Sequence, residues 1–183
     1  MNGRVINAAV VIFLLLSPLA VAEEMNDELT IGAKAPDFNL PYATKDEIVW
    51  DGLQLSDITG ESFIVLAFYP ANWSGGCTEQ LCAYRDNFSA LQDLDATILG
   101  ISGDYVFSHH EWAKQENFPF KLLSDHFHNV GKLYNSYNEE RGFNKRTIFV
   151  VDKEGKIAYI NMEYSVADDR DFIALKDALR SLQ

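Results

Sequence analysis

Six consecutive apolar residues, Phe63-Ile64-Val65-Leu66-Ala67-Phe68, mark a strand buried on both faces of a sheet. The period then changes: Leu81, Tyr84, Phe88, Leu91 and Leu94 recur at steps of three and four, predicting one amphipathic helix over Thr78 to Leu94. Thr97 to Ser102 reads as the next strand, Val106 to Gln115 as a helix, Pro119 to Leu123 as a short strand and Val130 to Tyr134 as a short helix. Thr147 to Val151 is another apolar strand, and the turn Asp152-Lys153-Glu154-Gly155 leads into Lys156 to Asn161 as its hairpin partner. Asp169 to Leu182 closes the chain as an amphipathic helix with acidic residues at its head. Upstream, Leu29 to Leu40 is extended with a turn at Ala35-Pro36-Asp37-Phe38, Glu47 to Trp50 is a short strand, and Ser56 to Gly60 is one helical turn ended by glycine.

Strands alternating with helices and finished by a hairpin and a helix predict an α/β domain, a central mixed β-sheet with helices on both faces. That is the element order of a thioredoxin-like three-layer sandwich. No internal repeat or low-complexity tract interrupts it.

The N-terminus has a different character. Arg4, an apolar run from Ala8 to Leu16, Ser17-Pro18 and Ala20-Val21-Ala22 follow the plan of an export signal with an A-x-A cleavage site. The run falls short of the roughly 20 residues needed to span a bilayer, so a cleaved signal (1–22) is read in preference to an anchor, and no stable membrane association is expected afterwards. An acidic flexible leader (23–28) and a single domain (29–183) follow. Cleavage would leave 27 acidic against 14 basic side chains, since Arg4 departs with the signal. Nucleic acid is then an unfavourable partner, because phosphate binding depends on lysines and arginines, and the charge is read as serving solubility. The expected location is outside the cytosol, periplasmic in a bacterium and secreted otherwise.

The chain has two cysteines, Cys77 and Cys82. Cys77 follows the buried strand and the loop Tyr69 to Gly76, at the entry to a helix, where the macrodipole and unpaired N–H groups favour thiolate. Residues five apart on a helix lie about 140° apart around the axis, beyond the roughly 7 Å Cα limit of a disulfide, so joining Cys77 to Cys82 requires the helix start to unwind.

The string Pro70-Ala71-Asn72-Trp73-Ser74-Gly75-Gly76-Cys77 resembles the P-x-x-x-[TS]-x-x-C signature of peroxiredoxins. Ile31 to Phe38, Gly100 to Asp104 and Arg146 to Asp152 resemble the family's N-terminal start, next strand end and arginine-bearing strand, so the resemblance runs from about Leu29 to Gln183. It implies a thiol-dependent peroxidase that reduces hydrogen peroxide and small organic hydroperoxides through a sulfenic acid, with no bound cofactor and no metal. Cys77 would be the peroxidatic sulfur. Ser74 would place its hydroxyl on the peroxide, Arg146 would donate to thiolate and leaving oxygen, and Pro70 would shape and shield the pocket. The N–H groups of Gly76 and Cys77 are further candidate donors. Cys82 is read in two ways, as the resolving thiol suggested by the C-x4-C spacing or as a small core residue with an external thiol closing the cycle.

A thioredoxin-like or glutaredoxin-like protein is the implied reductant, and both monomer and homodimer are open. Two departures stand out: Ser74 occupies a position often held by threonine, and Gln80 stands where the C-x4-C branch usually has glutamate. Two rival functions are a cell-envelope thiol-disulfide oxidoreductase, which would want C-x-x-C, and a non-catalytic binding module of the same fold. Trp73 is read as a plug of the loop against the core, and His109-His110 and His126-x-His128 as solvated rather than metal-ligating.

Overall fold

The computed structural model describes residues 29–183. The signal peptide and acidic leader expected over 1–28 lie outside them. No helix among the described residues is long and apolar enough to cross a membrane.

The strands are β1 (Asn39–Ala43), β2 (Ile48–Gln54), β3 (Phe63–Phe68), β4 (Ala96–Ser102), β5 (Lys121–Ser124), β6 (Tyr137–Asn138), β7 (Phe143–Asn144), β8 (Thr147–Val151) and β9 (Ile157–Asn161). The helices are α1 (Leu55–Ile58), α2 (Gly75–Asp86), α3 (Phe88–Gln92), α4 (Val106–Glu116), α5 (Asn129–Leu133) and α6 (Arg170–Ser181). Seven strands form one mixed sheet in the order β2-β1-β5-β4-β3-β8-β9, and β6 and β7 form a separate hairpin. β3 runs parallel to β4 and antiparallel to β8.

All six residues of β3 are buried, and they alternate between two cores. Phe63, Val65 and Ala67 join Leu81 and Tyr84 of α2, Trp112 of α4 and Leu175 and Leu179 of α6. Ile64, Leu66 and Phe68 join Phe38, Leu55 of α1, Val130 of α5, Tyr134 and Phe149 on the opposite face. Strand alternation therefore explains why an unbroken apolar run was needed: each face has its own helical layer to meet.

The expected helix over Thr78 to Leu94 is two helices, divided at Asn87, whose φ of −109° and ψ of 17° leave the helical region. Asn87 donates to the Ala83 carbonyl both through its backbone N–H (3.2 Å) and through its side chain (3.0 Å), giving that carbonyl a second donor where the helix ends. The first of the two begins at Gly75, three residues earlier than expected. Cys77 consequently lies within the first helical turn rather than ahead of it.

Sheet order does the assembling. Phe68, the last residue of β3, pairs with Thr147, the first of β8, so the loop leaving β3 and the residue entering β8 meet at one sheet end. The C-terminal end of β4, parallel to β3, arrives there too.

Candidate active site

Cys77 is fully buried in the core beneath α2, with Leu81 and Tyr84 on the same helical face. Arg146, 69 residues away in sequence, donates from Nη1 to Cys77 Sγ at 3.4 Å. The same Nη1 donates to Gln80 Oε1 at 3.2 Å, and Gln80 Nε2 donates to the Tyr84 hydroxyl at 3.2 Å. Gln80 is buried, so its amide is a fixed bracket that aims the guanidinium at the sulfur. Burial pushes the Tyr84 phenol well above its ordinary range and Tyr164 up to about 12, so both phenols beside the guanidinium stay neutral.

Gly76 makes the approach possible. A Cβ there would stand 2.9 Å from Arg146 Nη2. At the neighbouring Gly75 a Cβ would meet nothing within 4 Å.

Ser74 is the N-cap residue of α2 and its side chain makes no capping bond, leaving the hydroxyl of an exposed residue available at the helix head. Its carbonyl accepts from Cys77 N (3.1 Å) and Thr78 N (2.9 Å). The Cys77 N–H is therefore already engaged in the turn and the candidate donor role falls to Gly76. Pro70 is half-buried at the start of the same loop.

The loop is fastened by a buried polar network that the sequence did not disclose. Asn72, 5 % exposed, accepts from the Tyr69 hydroxyl at 2.8 Å and donates through Nδ2 to Ser108 Oγ at 2.9 Å and to His109 Nδ1 at 3.1 Å. Its backbone N–H donates to Asp104 Oδ2 at 2.9 Å, which also accepts from Ser102 Oγ at 2.7 Å. His109 Nε2 lies 3.1 Å from the Leu123 carbonyl, which can only accept, so the proton sits on Nε2 and Nδ1 receives the Asn72 amide. Burial pushes the imidazole down to about 4, against the opposing pull of Asp104.

His109, expected in solvent, is thus a fully buried structural residue. The other histidines are engaged as well: His110 Nδ1 contacts the Thr44 carbonyl at 2.7 Å, His126 stacks on Tyr105 and His128 packs on Tyr137.

Trp73 is half-exposed, with φ of 64°, a conformation costly for a bulky side chain. It is held by Ser108 Oγ, which accepts from its indole N–H at 3.2 Å, and by ring contact with Trp112 at 6.0 Å. The tryptophan rests on the core rather than entering it. A cavity of about 750 Å³ among Phe38, Trp50, Tyr105 and Phe127 has none of Pro70, Ser74, Cys77 or Arg146 in its lining.

Both cysteines are free thiols. Cys82 is half-buried against the same core and toward α4, where its thiol donates to Glu116 Oε2 at 3.6 Å.

Residues 31–160 match the AhpC/TSA family. The chain belongs to that family. Peroxiredoxin Bcp of Bacillus subtilis is 32% identical over 161 residues, covering 85% of this chain and 96% of its own. A putative peroxiredoxin bcp of Coxiella burnetii is 36% identical over 138 residues, covering 72% and 87%. Among solved structures, peroxidoxin BcpB of Mycobacterium tuberculosis superposes with a TM-score of 0.74 at 28% identity, covering 85% of this chain and 99% of that one. The fold is the thioredoxin-like one of the peroxiredoxins, and the chain is a thiol-dependent peroxidase, an oxidoreductase. The thiol-disulfide oxidoreductase and binding-module readings are not favoured.

Proposed function

We propose that Cys77 is the peroxidatic residue and that it reduces hydrogen peroxide and small organic hydroperoxides to water or alcohol. The observation that carries this is the Arg146 guanidinium donating to the Cys77 sulfur at 3.4 Å. The thiolate attacks the nearer peroxide oxygen, the O–O bond breaks, and the departing oxygen takes a proton while Cys77 becomes a sulfenic acid. Negative charge passes from sulfur to the leaving oxygen during this step. A delocalised guanidinium with several N–H donors in a fixed fork can follow that charge without moving.

Ser74 would orient the incoming peroxide through its uncapped hydroxyl, with the Gly76 N–H beside it. Pro70, lacking an N–H and rigid in φ, would wall the loop side of the pocket and limit access of bulky peroxides to the sulfur.

Cys82 would close the cycle. Its sulfur displaces hydroxide from the sulfenic acid, giving an intramolecular disulfide and water, and a thioredoxin-like or glutaredoxin-like protein then reduces that disulfide. The C-x4-C spacing supports this reading, and the opening of α2 that it demands is the step to look for. The chain would act outside the cytosol after loss of residues 1–22, periplasmic in a bacterium and otherwise secreted.

Mass spectrometry under thiol-trapping conditions after one equivalent of peroxide tests both roles. Wild type should lose two hydrogens, Cys82→Ser should gain one oxygen on Cys77, and Cys77→Ser should do neither. Peroxide turnover by Cys77→Ser at the wild-type rate would exclude the assignment. Light scattering on the same samples reads whether the protein is a monomer or a homodimer.

A further inference from the structure

The two helices α2 and α4 are joined by a polar cluster of Cys82, Arg85 and Glu116. Arg85 donates from Nη1 to the Glu116 backbone carbonyl at 2.7 Å and to its Oε2 at 3.4 Å. Glu116 is the last residue of α4, so this guanidinium satisfies a terminal carbonyl at the negative end of the helix. The Cys82 thiol donates to the same Oε2 at 3.6 Å, a normal separation for sulfur.

The charged groups facing Cys82 are Glu116 from α4 and Arg85 and Asp86 from α2. Burial first, and then Glu116 and Asp86, raise the thiol above its ordinary range while Arg85 opposes them. A thiol donating to a carboxylate must keep its proton, and a thiol that keeps its proton does not attack sulfenic acid.

We infer that Glu116 is a positioning residue for the resolving step: its carboxylate seats the Cys82 thiol in the protonated form against α4, so disulfide formation waits on release from Glu116. This rests on the reading that Cys82 resolves Cys77. The step itself balances simply. Cys82 gives its proton to solvent, its sulfur bonds to the Cys77 sulfur, the S–O bond of the sulfenic acid breaks, and the leaving hydroxide is protonated to water.

The consequence is kinetic. While Cys82 stays seated, the sulfenic acid persists and a second peroxide can oxidise it further, to the sulfinic acid that thiols do not reverse. Glu116 would therefore set how much peroxide the enzyme tolerates.

Glu116→Gln keeps the size and an acceptor oxygen but removes the charge. In the reduced Cys77→Ser background, the pH midpoint for alkylation of Cys82 by iodoacetamide should fall. In the otherwise wild-type protein, oxidation of Cys77 by hydrogen peroxide in a single turnover should keep its rate, while disulfide formation should accelerate. For each tenfold gain in thiolate, intrinsic nucleophilicity drops about threefold, so a net gain of about threefold is expected. Sulfinic acid at high peroxide should decrease accordingly.

Arg85→Met separates charge from simple restraint. Loss of the compensating cation should raise the alkylation midpoint; a lower midpoint would mean that restraint rather than charge holds the thiol, and the inference would be wrong. An unchanged midpoint in Glu116→Gln, or an unchanged disulfide rate despite a shifted midpoint, would also overturn it. The resolving assignment fails on a different result, namely wild-type protein that never forms the internal disulfide while the alkylation midpoint still moves.

Discussion

Two adjacent glycines open α2, and replacing each by alanine should separate helix stability from chemistry. Neither Gly75 nor Gly76 has a positive φ, so alanine fits the backbone at both. Helix propensity favours alanine over glycine by up to about 1 kcal/mol, less in a first turn, so neither variant should melt earlier than wild type. Their surroundings differ: at Gly75 the new methyl meets open space, whereas at Gly76 it meets Arg146 Nη2 at 2.9 Å, with Val166 Cγ2 at 3.5 Å and Arg146 Cζ at 3.8 Å behind it. A carbon-to-nitrogen contact relaxes by about half an ångström, and the flexible end of the arginine is what yields. The Nη1-to-Sγ bond, already 3.4 Å, then stretches toward the limit for sulfur. A hydrogen bond from a charged donor contributes about 1.5–3 kcal/mol, so losing most of it should slow Cys77 oxidation about 10- to 100-fold. The assay is single-turnover oxidation by hydrogen peroxide, quenched with a thiol trap and read by mass, which excludes resolution from the measured rate. Gly75→Ala should oxidise at the wild-type rate. Equal rates for the two variants, with both folded, would refute the claim that guanidinium placement governs the peroxide step.

Arg146→Met, removing the donor outright, should lower kcat/KM for hydrogen peroxide about 10²- to 10³-fold, the usual effect of deleting a donor to developing charge, and Arg146→Lys should recover little of it because an ammonium lacks the fork. Gln80→Leu should leave the arginine in place but unbraced, reducing kcat/KM by a smaller factor of roughly ten, measured in the same assay. Asn72→Ala removes the amide that ties the Tyr69 hydroxyl, Ser108 and His109 together in the core, leaving Tyr69 and His109 Nδ1 to a longer 3.3 Å contact with each other, and should cost about 1–3 kcal/mol in urea denaturation. The folded protein keeps His109 neutral down to about pH 4 whereas the unfolded chain protonates it near 6.5, so the unfolded state binds more protons between those values. Stability should therefore be intact above pH 6.5 and decline as pH falls through the window, by up to about 3 kcal/mol, and His109→Gln should flatten that limb. An unchanged acid limb in His109→Gln would assign it to other groups.

The apolar pattern predicted the strands that set the sheet. β3 and β8 have the bounds that the sequence indicates, and β4 begins one residue sooner, at Ala96. β2, the edge strand, extends past Trp50 to Gln54, and its neighbour β1 lies at Asn39–Ala43, overlapping the end of the segment read only as extended; both are only partly buried and lack a continuous apolar run. The break at Asn87 was invisible for a definite reason: Phe88, Leu91 and Leu94 pack on the same core as Leu81 and Tyr84, so the apolar spacing carries across the break. The hairpin of β6 and β7 consists of two-residue strands, too short for any alternation to register. At the site, Cys77 and Arg146 were readable because a resemblance linked them. Asn72 and His109 were not, because a buried polar network has no period and each member is explained only by partners distant in sequence.

Gln80 shows what a single departure from the family pattern does. A glutamate at this position would pair with Arg146 through charge and compete with the sulfur for the guanidinium. The neutral amide instead orients Arg146 through Oε1 while spending its N–H on Tyr84, leaving the full positive charge to Cys77. The same economy governs α2 as a whole. Cys77 and Leu81 are fully buried, which holds the sulfur still. Yet the helix start has two glycines, an N-cap serine whose side chain makes no capping bond, and no acidic side chain in its first turn, features that each weaken it. If resolution requires that turn to unwind, strengthening it should slow disulfide formation without touching oxidation. Gly75→Ala is the variant that isolates this, since its methyl contacts nothing: by helix propensity alone it should slow disulfide formation up to about fivefold. A Gly75→Ala protein that forms its disulfide as fast as wild type would place the opening elsewhere in α2, at the Cys82 end.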